Sequence, residues 1–257
     1  MSRTARDARR RALAQNFIVD ERALRTLLDA VPLDPARDVV VDLGAGRGAL
    51  TAPLAARAAR VLAVERDPAW ARELRTRAAR EWRNVEVVEG DARAVAFPPE
   101  PFKVVANLPF NAGTVLVRRL LADGHGLAGA AVVLQLEAAR RLADGGRFGA
   151  TWAPWFELDV AGRIPARAFR PVPRVDAAVL TVRARQPALL SPAAFAAHEQ
   201  LVDKVFAAAG QTVAARLQRA VGRRRAARML DAAAVEPRAT LGDVAPEAWA
   251  RLTRAEC

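Results

Sequence analysis

Residue types that build cross-links and metal sites are almost missing from this chain. Its 257 residues include one cysteine, Cys257, which excludes an internal disulfide and a metal site made of cysteines. The two histidines, His125 and His198, are isolated, so we expect no metal site. Tyrosine is absent, but five tryptophans and nine phenylalanines are enough aromatic residues for an ordinary core.

Long apolar runs are absent as well. No run reaches the roughly 18 residues of a membrane-spanning helix, so we expect no membrane span. Residues 1–11 are rich in arginine, but the apolar stretch of a secretory signal does not follow them. A mitochondrial transit segment would also be basic. Because this segment is short, contains Asp7 and runs directly into a motif, we expect the protein in the cytoplasm.

Lysine is scarce, since Lys103 and Lys204 are the only two, yet the chain is strongly basic. Forty Lys and Arg residues against 28 Asp and Glu give a net charge of +12. A preference for arginine over lysine often reflects a GC-rich genome, but such a bias does not account for the excess of positive charge. The charge therefore predicts a polyanionic partner, most simply a nucleic acid.

Short apolar segments alternate with helical patterns in the first two-thirds of the chain. The pattern predicts strands at residues 39–43, 61–65, 85–88, 102–106, 131–134 and 177–182. Residues 68–82 have a helical pattern with Trp70, Leu74 and Ala78 on one face. Alternation of this kind is typical of an α/β fold with a parallel sheet, whose ligands bind at the carboxyl ends of the strands.

Two proline dipeptides mark a domain boundary. Gln186-Pro187 and Ser191-Pro192 follow the last predicted strand, and the remainder of the chain has helical patterns only. We therefore predict a catalytic domain at residues 1–186 and a helical domain at residues 187–257.

A glycine loop follows the first strand of the sheet. The segment Gly44-Ala45-Gly46-Arg47-Gly48-Ala49 lies between a strand and a helix, and Glu65 ends the next strand, where an acid can bind ribose hydroxyls. This pattern suits a nicotinamide dinucleotide and a methyl donor equally well. Asp91, at the end of the third strand, and Asn107-Leu108-Pro109-Phe110, at the end of the fourth, favour the methyl donor.

The tetrapeptide has the composition needed to methylate the amine of an adenine. This amine is a poor nucleophile, because its lone pair is delocalised into the ring. Acceptors on its N–H bonds, which we predict to be the side-chain oxygen of Asn107 and the carbonyl of Leu108, stabilise the positive charge that develops there. Pro109 stiffens the loop. Phe110 offers a face on which the extruded base stacks.

These segments resemble the rRNA adenine N6-methyltransferases, a family comprising the Erm enzymes and the small-subunit dimethyladenosine transferases. The resemblance covers nearly the whole chain, from Gln15-Asn16-Phe17-Ile18 to the aromatic residue Phe169. It implies a Rossmann-like seven-stranded sheet with a small helical C-terminal domain, and S-adenosylmethionine as the cofactor. The residues that it implies for cofactor binding are Asn16, Ile18, Gly44, Gly46, Glu65, Asp91, Ala92 and Asn107.

The resemblance also concerns the base to be methylated. It places Phe169, with the tetrapeptide Asn107, Leu108, Pro109 and Phe110, near that base. Many family members have tyrosine where this chain has Phe110. Phenylalanine keeps the stacking face and loses only the hydroxyl, so we expect activity to survive.

The two branches of the family differ in substrate. Residues 135–141, 146–149, 152–156 and 163–171 look more like those of the Erm branch. That branch implies N6-methylation of one adenine in 23S rRNA and resistance to macrolides, lincosamides and streptogramin B. The alternative is a 16S rRNA dimethyladenosine transferase acting in ribosome assembly. An RNA-binding protein without activity and a nicotinamide-dependent reductase are more distant alternatives.

Arginines predict where the RNA binds. They form three groups, at residues 3–11, 163–174 and 216–228, and the last group contains no acidic residue. The residues predicted to contact RNA are Arg10, Arg11, Arg140, Arg170, Arg174, Arg216, Arg223, Arg224 and Arg225. We expect the protein to be a monomer.

Overall fold

The structure, a computed structural model, describes residues 16–123 and 126–256, with the side chain of Asp123 excepted. Within these residues the strands are β1 (Phe17–Ile18), β2 (Val39–Leu43), β3 (Arg60–Glu65), β4 (Val85–Glu89), β5 (Phe102–Asn107), β6 (Leu127–Gln135), β7 (Phe156–Ile164), β8 (Phe169–Arg170) and β9 (Ala177–Ala184). The α-helices are α1 (Glu21–Asp29), α2 (Thr51–Ala55), α3 (Pro68–Glu81), α4 (Gly113–Asp123), α5 (Leu136–Ala143), α6 (Gly146–Trp152), α7 (Phe195–Ala207), α8 (Val213–Val221), α9 (Arg223–Ala233) and α10 (Pro246–Glu256).

Seven strands form one sheet in the order β4-β3-β2-β5-β6-β9-β7. The pairs among β4, β3, β2, β5 and β6 are parallel, whereas β9 runs antiparallel to β6. The carboxyl ends of β2, β3, β4 and β5 therefore meet at one edge of the sheet. The glycine loop, Glu65, Asp91 and Asn107 lie at or just beyond these ends.

The predicted α/β fold with a seven-stranded sheet and a helical C-terminal region is confirmed. All six strands predicted from apolar runs are present. The short antiparallel pair of β1 with β8 and the long strand β7 were not predicted. In β7 half-buried and exposed residues alternate, so it lacks the continuous apolar run that marks the central strands.

Helix α3 shows how local sequence sets the positions of these elements. The side chain of Asp67 accepts a hydrogen bond from the N–H of Ala69, and Pro68 occupies the first turn, where its missing N–H costs nothing. Ala71, Leu74 and Ala78 are buried at helical spacing, and Trp70 is half-buried. The helix thereby covers one face of the sheet beside the glycine loop.

The chain divides into two compact units. The first contains the described residues up to 140 and residues 159–183, and the second contains residues 141–158 and the described residues from 184 onward. The segment 141–158 thus joins the second unit, although the division at residue 186 assigns it to the first domain. The reason is packing: in the second unit Ala150 belongs to the core around Trp249, Leu201 and Met229.

A membrane-spanning helix was not expected. In the part of the chain that the structure describes, no helix has both the length and the apolar character to cross a bilayer.

Candidate active site

The glycine loop follows β2 and lies next to the carboxyl end of β3. Gly44 and Gly46 have φ angles of +79° and +57°, which side chains rarely adopt. A Cβ atom on Gly46 would also lie 3.2 Å from the ring of Phe17. Because position 46 is a glycine, the backbone can adopt this conformation, in which the N–H of Gly46 donates to the Oε2 atom of Glu65 at 2.7 Å.

Glu65 is a buried carboxylate at the carboxyl end of β3. Its side chain is 2% exposed, and its Oε1 atom accepts a second hydrogen bond, at 2.7 Å, from the N–H of Asp67. Burial raises the pKa of Glu65, and the N–H groups of Asp67 and Gly46 oppose that rise. Each oxygen keeps a lone pair, and Glu65 lines a cleft, so it can accept hydrogen bonds from a pair of ribose hydroxyls.

Asp91 also lines this cleft, just beyond the carboxyl end of the neighbouring strand β4, and is held by Arg93. The Nε atom of Arg93 donates to Oδ1 of Asp91 at 3.0 Å, and Nη2 donates to Oδ2 at 2.6 Å. The guanidinium of Arg93 lowers the pKa of Asp91 to about 2. Asp91 is therefore a permanent acceptor at neutral pH, but its own chain already supplies donors to it.

Replacing Arg93 with alanine is expected to tighten binding of S-adenosylhomocysteine. If Asp91 accepts a hydrogen bond from the adenine amine, that amine competes with Arg93 for the carboxylate. An exposed ion pair is worth up to about 1 kcal/mol, so the dissociation constant should fall by about two- to fivefold at low salt. Isothermal titration calorimetry measures this.

Salt provides the control for this prediction. In the parent protein, raising the ionic strength should weaken the pair of Arg93 with Asp91, so the advantage of Arg93→Ala should shrink in about 0.5 M NaCl. Weaker binding by the variant at every salt concentration would instead make Arg93 a contact of the cofactor.

Asn107, the last residue of β5, presents an acceptor without a donor. Its Nδ2 atom donates to the backbone carbonyl of Asn16 at 2.7 Å. Because a carbonyl only accepts, this bond fixes which end of the amide is nitrogen. The Oδ1 atom is buried and has no hydrogen-bond partner among the described residues. A buried acceptor of this kind is costly unless a ligand supplies the donor.

Burial, a backbone hydrogen bond and ring packing hold the other three residues of the tetrapeptide. Leu108 is buried, and the carbonyl of Pro109 accepts a hydrogen bond from the N–H of Ala112 at the start of α4. The ring of Phe110 is half-buried and meets that of Phe169 edge to face, with centroids 5.9 Å apart and planes at 72°. Phe169 itself is 0% exposed, so in this structure it supports Phe110 and offers no face to a base.

The cleft brings together most of the residues predicted from the sequence. Its walls include Asn16, Gly44, Glu65, Asp91, Ala92, Asn107, Leu108 and Pro109. Ile18 and Gly46 do not line it, because Ile18 packs against the hydrophobic core and Gly46 lies behind Glu65. Sequence reasoning did not single out Phe17, Val64, Arg66, Gly90, Arg93, Asn111, Ala112 and Leu116, which complete the walls.

Phe17 is the clearest of these omissions. The pairing of β1 with β8 sets Phe17 opposite Arg170, and its ring meets that of Trp70 edge to face at 5.4 Å. The ring also covers Gly46. Phe17 lies inside the motif recognised at residues 15–18, but only the structure shows that this side chain, rather than that of Ile18, faces the cleft.

These groups fit S-adenosylmethionine. Glu65 offers a buried carboxylate to ribose hydroxyls, and Asp91 offers a carboxylate to an amine. The glycine loop, at the end of β2, brings the backbone of Gly44 into the wall of the cleft. The orphaned oxygen of Asn107 remains available to a second substrate.

The predicted RNA contacts in the first unit lie on its surface where they are described. Arg10 and Arg11 lie outside the described residues. Arg140, Arg170 and Arg174 are exposed. Arg140 pairs with Glu137 at 3.2 Å, and Arg170 donates to the carbonyls of Arg167 and Phe169. Each still has donors for a phosphate.

The predicted RNA contacts in the second unit differ from one another in exposure and in hydrogen bonding. Arg216 is half-buried and donates to the carbonyls of Phe206, Ala208 and Gly210, which lie in the last turn of helix α7 and just after it. This contact gives Arg216 a structural task that the sequence did not predict. Arg223, Arg224 and Arg225 are exposed in the first turn of α9, although Arg225 also donates to the carbonyl of Glu256.

Comparison with known proteins agrees with this geometry. The family model described as ribosomal RNA adenine dimethylase matches residues 6–255. An rRNA adenine N-6-methyltransferase of Saccharopolyspora erythraea is 37% identical over 98% of this chain, and the mycinamicin-resistance protein MyrB of Micromonospora griseorubida is 35% identical over 95%. The chain spans 66% of the length of the first relative and 78% of the second.

A solved structure gives the same result. The crystal structure of the 23S rRNA methyltransferase ErmE matches with a TM-score of 0.80 and 34% identity, covering 93% of this chain and 99% of that one. Enzymes of the matching family methylate rRNA adenines with S-adenosylmethionine as the methyl donor. This chain belongs to the ribosomal RNA adenine dimethylase family.

Proposed function

We propose that this protein methylates N6 of one adenine in 23S rRNA and thereby confers resistance to macrolides, lincosamides and streptogramin B. The observation that carries the chemistry is the buried Oδ1 atom of Asn107, an acceptor without a donor at the edge of the cofactor cleft. The similarity to ErmE and to MyrB supports the choice of substrate and of outcome.

The residues of the chain act by positioning and by electrostatics. When bound, S-adenosylmethionine would supply an electrophilic methyl group, whose bonding electron pair would stay on the sulfur while the lone pair of the nitrogen forms the new bond. Asn107 accepts one N–H of the adenine amine and so stabilises the positive charge that grows on the nitrogen. The carbonyl of Leu108 accepts the other N–H, and the nitrogen then releases a proton to water.

The aromatic pair holds the base. Phe110 stacks on the extruded adenine, and its edge-to-face contact with Phe169 keeps the ring of Phe110 from tilting. Phe169 thus acts through Phe110. Asn16 acts in a similar way, because its carbonyl binds the Nδ2 atom of Asn107 and so leaves Oδ1 as the unpaired acceptor.

The helical unit binds the RNA backbone in this proposal. Helix α9 begins at Arg223, its N-cap residue Gly222 provides no side-chain cap, and its first turn contains no acidic residue. Three arginines at the start of a helix oppose its dipole and repel one another, so an anion bound there relieves an existing cost. Arg223, Arg224 and Arg225 are therefore the contacts that we expect to be strongest.

Replacing Arg223, Arg224 and Arg225 together with alanine is expected to weaken RNA binding while leaving cofactor affinity intact. Three lost phosphate contacts should lower the slope of log Kd against log salt concentration by about two to three. Filter binding with an rRNA fragment at several salt concentrations measures this slope.

A matched triple variant separates contacts from net charge. Arg72, Arg80 and Arg83 are exposed on the first unit, and replacing them with alanine removes the same charge. Equal slopes for the two triple variants would show that α9 makes no specific contact with phosphates.

The proposed function has a direct test. Radiolabel transfer from S-adenosylmethionine to deproteinised 23S and 16S rRNA, followed by primer extension, locates the modified adenine. Label in 23S rRNA and a raised tolerance of macrolides in an expressing strain support the proposal. Label in 16S rRNA alone would assign the protein to the small-subunit branch.

We also propose that the protein acts as a monomer in the cytoplasm. Gel filtration tests the first statement and cell fractionation tests the second.

A further inference from the structure

One arginine of helix α4 holds the turn that carries Asp91. Arg119 is half-buried, and its Nη1 atom donates to the carbonyl of Ala92 at 2.6 Å. Its Nη2 atom donates to the carbonyl of Val95. Both carbonyls belong to the turn after β4, so a single guanidinium holds this turn at two points.

An aromatic ring packs against the face of the same guanidinium. Its central carbon lies 4.4 Å from the centre of the Phe97 ring, a cation–π contact. The ring of Phe97 stacks on that of Phe102 with centroids 5.3 Å apart and planes at 18°. Because Phe102 begins β5 and Asn107 ends it, the turn is anchored to the strand that carries the orphaned acceptor.

The contacts of Arg119 join two walls of the cofactor cleft. One wall here means Asp91 and Ala92, which line the cleft from the turn after β4, and the other means Leu116, which lines it from α4 one turn before Arg119. A turn held only by its own hydrogen bonds could move toward or away from α4. Charge-assisted bonds from a stacked, planar guanidinium remove that freedom and set the separation of the two walls.

We propose that Arg119 is a positioning residue that sets the width of the slot for the adenine ring of S-adenosylmethionine. It thereby makes Asp91 selective for an amine at carbon 6 of the purine. A carboxylate only accepts, so it binds an amine and repels a carbonyl oxygen held at the same place. The selectivity is high only if the ring has no room to shift. This inference rests on the proposed function, because it takes Asp91 as the acceptor of that amine.

Two ligands that differ in one group provide the test. S-adenosylhomocysteine has the amine, and S-inosylhomocysteine has a carbonyl oxygen in its place. We expect the parent protein to prefer the first by about 100-fold in Kd, which is the size expected for the loss of one hydrogen bond to a charged group. In Arg119→Ala the Kd of S-adenosylhomocysteine should rise about tenfold and that of S-inosylhomocysteine about twofold. The preference should therefore fall to about 20-fold.

Two further variants sharpen the result. Arg119→Lys keeps the charge but reaches one carbonyl, so its preference should lie between those of the parent and Arg119→Ala. Arg118→Ala changes the adjacent, exposed residue of the same helix and should leave both constants within about twofold. In turnover measurements Arg119→Ala should raise KM for the methyl donor more than it lowers kcat.

The outcomes separate the inference from the proposed function. Equal losses of affinity for the two ligands in Arg119→Ala would reduce Arg119 to a general structural role and overturn the inference alone. If circular dichroism shows that Arg119→Ala does not fold, an unchanged preference in Arg119→Lys would overturn it in the same way. A parent protein that binds neither ligand, or does not distinguish them, would overturn the placement of the cofactor and this inference with it.

Discussion

Replacing Asn107 with alanine is expected to lower the single-turnover rate of methylation by about 10²–10³-fold at saturating cofactor, with the Kd for RNA within about twofold of the parent value. Loss of one preorganised hydrogen-bonding group from a site of developing charge commonly costs this much. The expectation follows from the structure, because the Oδ1 atom of Asn107 is buried, oriented and without a donor. In the proposed mechanism this oxygen accepts a hydrogen bond from the substrate alone, and that bond grows stronger as the nitrogen becomes positive.

The alanine variant also loses a structural contact, and that loss needs its own measurement. The Nδ2 atom of Asn107 donates to the carbonyl of Asn16, so part of any effect could come from a loosened segment. Asn84 provides a matched control, since its Nδ2 atom donates to the carbonyls of Ala55 and Ala58, away from the cleft. Asn84→Ala should lower the free energy of unfolding and leave the rate of methyl transfer within a few-fold of the parent.

Rapid-quench measurement of labelled RNA decides between the two contributions. A rate for Asn107→Ala within a few-fold of the parent would remove Asn107 from the chemistry. An equal drop in both asparagine variants would assign the effect to loss of structure.

The fold was predictable because its signals are local. Buried strands such as β2 and β3 are continuous apolar runs, and the glycines and acids at their ends mark the edge where ligands bind. Strand β7 has no such run, since its residues alternate in exposure. The segment 141–158 joins the second unit through long-range packing of residues such as Ala150, which no local pattern records.

The sequence identified many residues of the candidate site, but it did not show what their side chains contact. The resemblance predicts Phe169 near the base, but its complete burial and edge-to-face contact with Phe110 depend on the pairing of β1 with β8. Arg216 has the same charge as its neighbours on the chain. Only the convergence of three carbonyls at the end of α7 distinguishes it from an arginine such as Arg223 that is exposed to solvent.

Asp42, the residue before the last in β2, is expected to make the protein less stable as the pH rises from about 4 to about 7. It is 0% exposed, its Oδ1 atom has no partner among the described residues, and burial raises its pKa from 3.8 to about 7. Between these two values the folded protein holds a proton that the unfolded chain has lost. Stability therefore falls with rising pH across this window and is constant above it.

The size of this effect follows from the difference between the two pKa values. Each pKa unit corresponds to about 1.4 kcal/mol, so ionisation of Asp42 can cost on the order of 4 kcal/mol of unfolding free energy. Asp42→Asn stays neutral at every pH and mimics the protonated acid, including its unsatisfied buried group. The informative quantity is therefore the slope of stability against pH, which should be flatter in the variant than in the parent between pH 4 and 7.

Two other groups help to isolate the contribution of Asp42. The hydroxyl of Thr51 donates to Oδ2 of Asp42 at 2.7 Å and favours its charged form, so Thr51→Val should raise the pKa of Asp42 and extend the window above pH 7. His198, in the second unit, makes stability change with pH in the opposite direction. Burial lowers its pKa below 6.5, so its contribution to stability falls as the pH drops below that value. Urea unfolding from pH 4 to 8 resolves these slopes, and parallel curves for the parent and Asp42→Asn would show that Asp42 is ionised in the folded protein throughout.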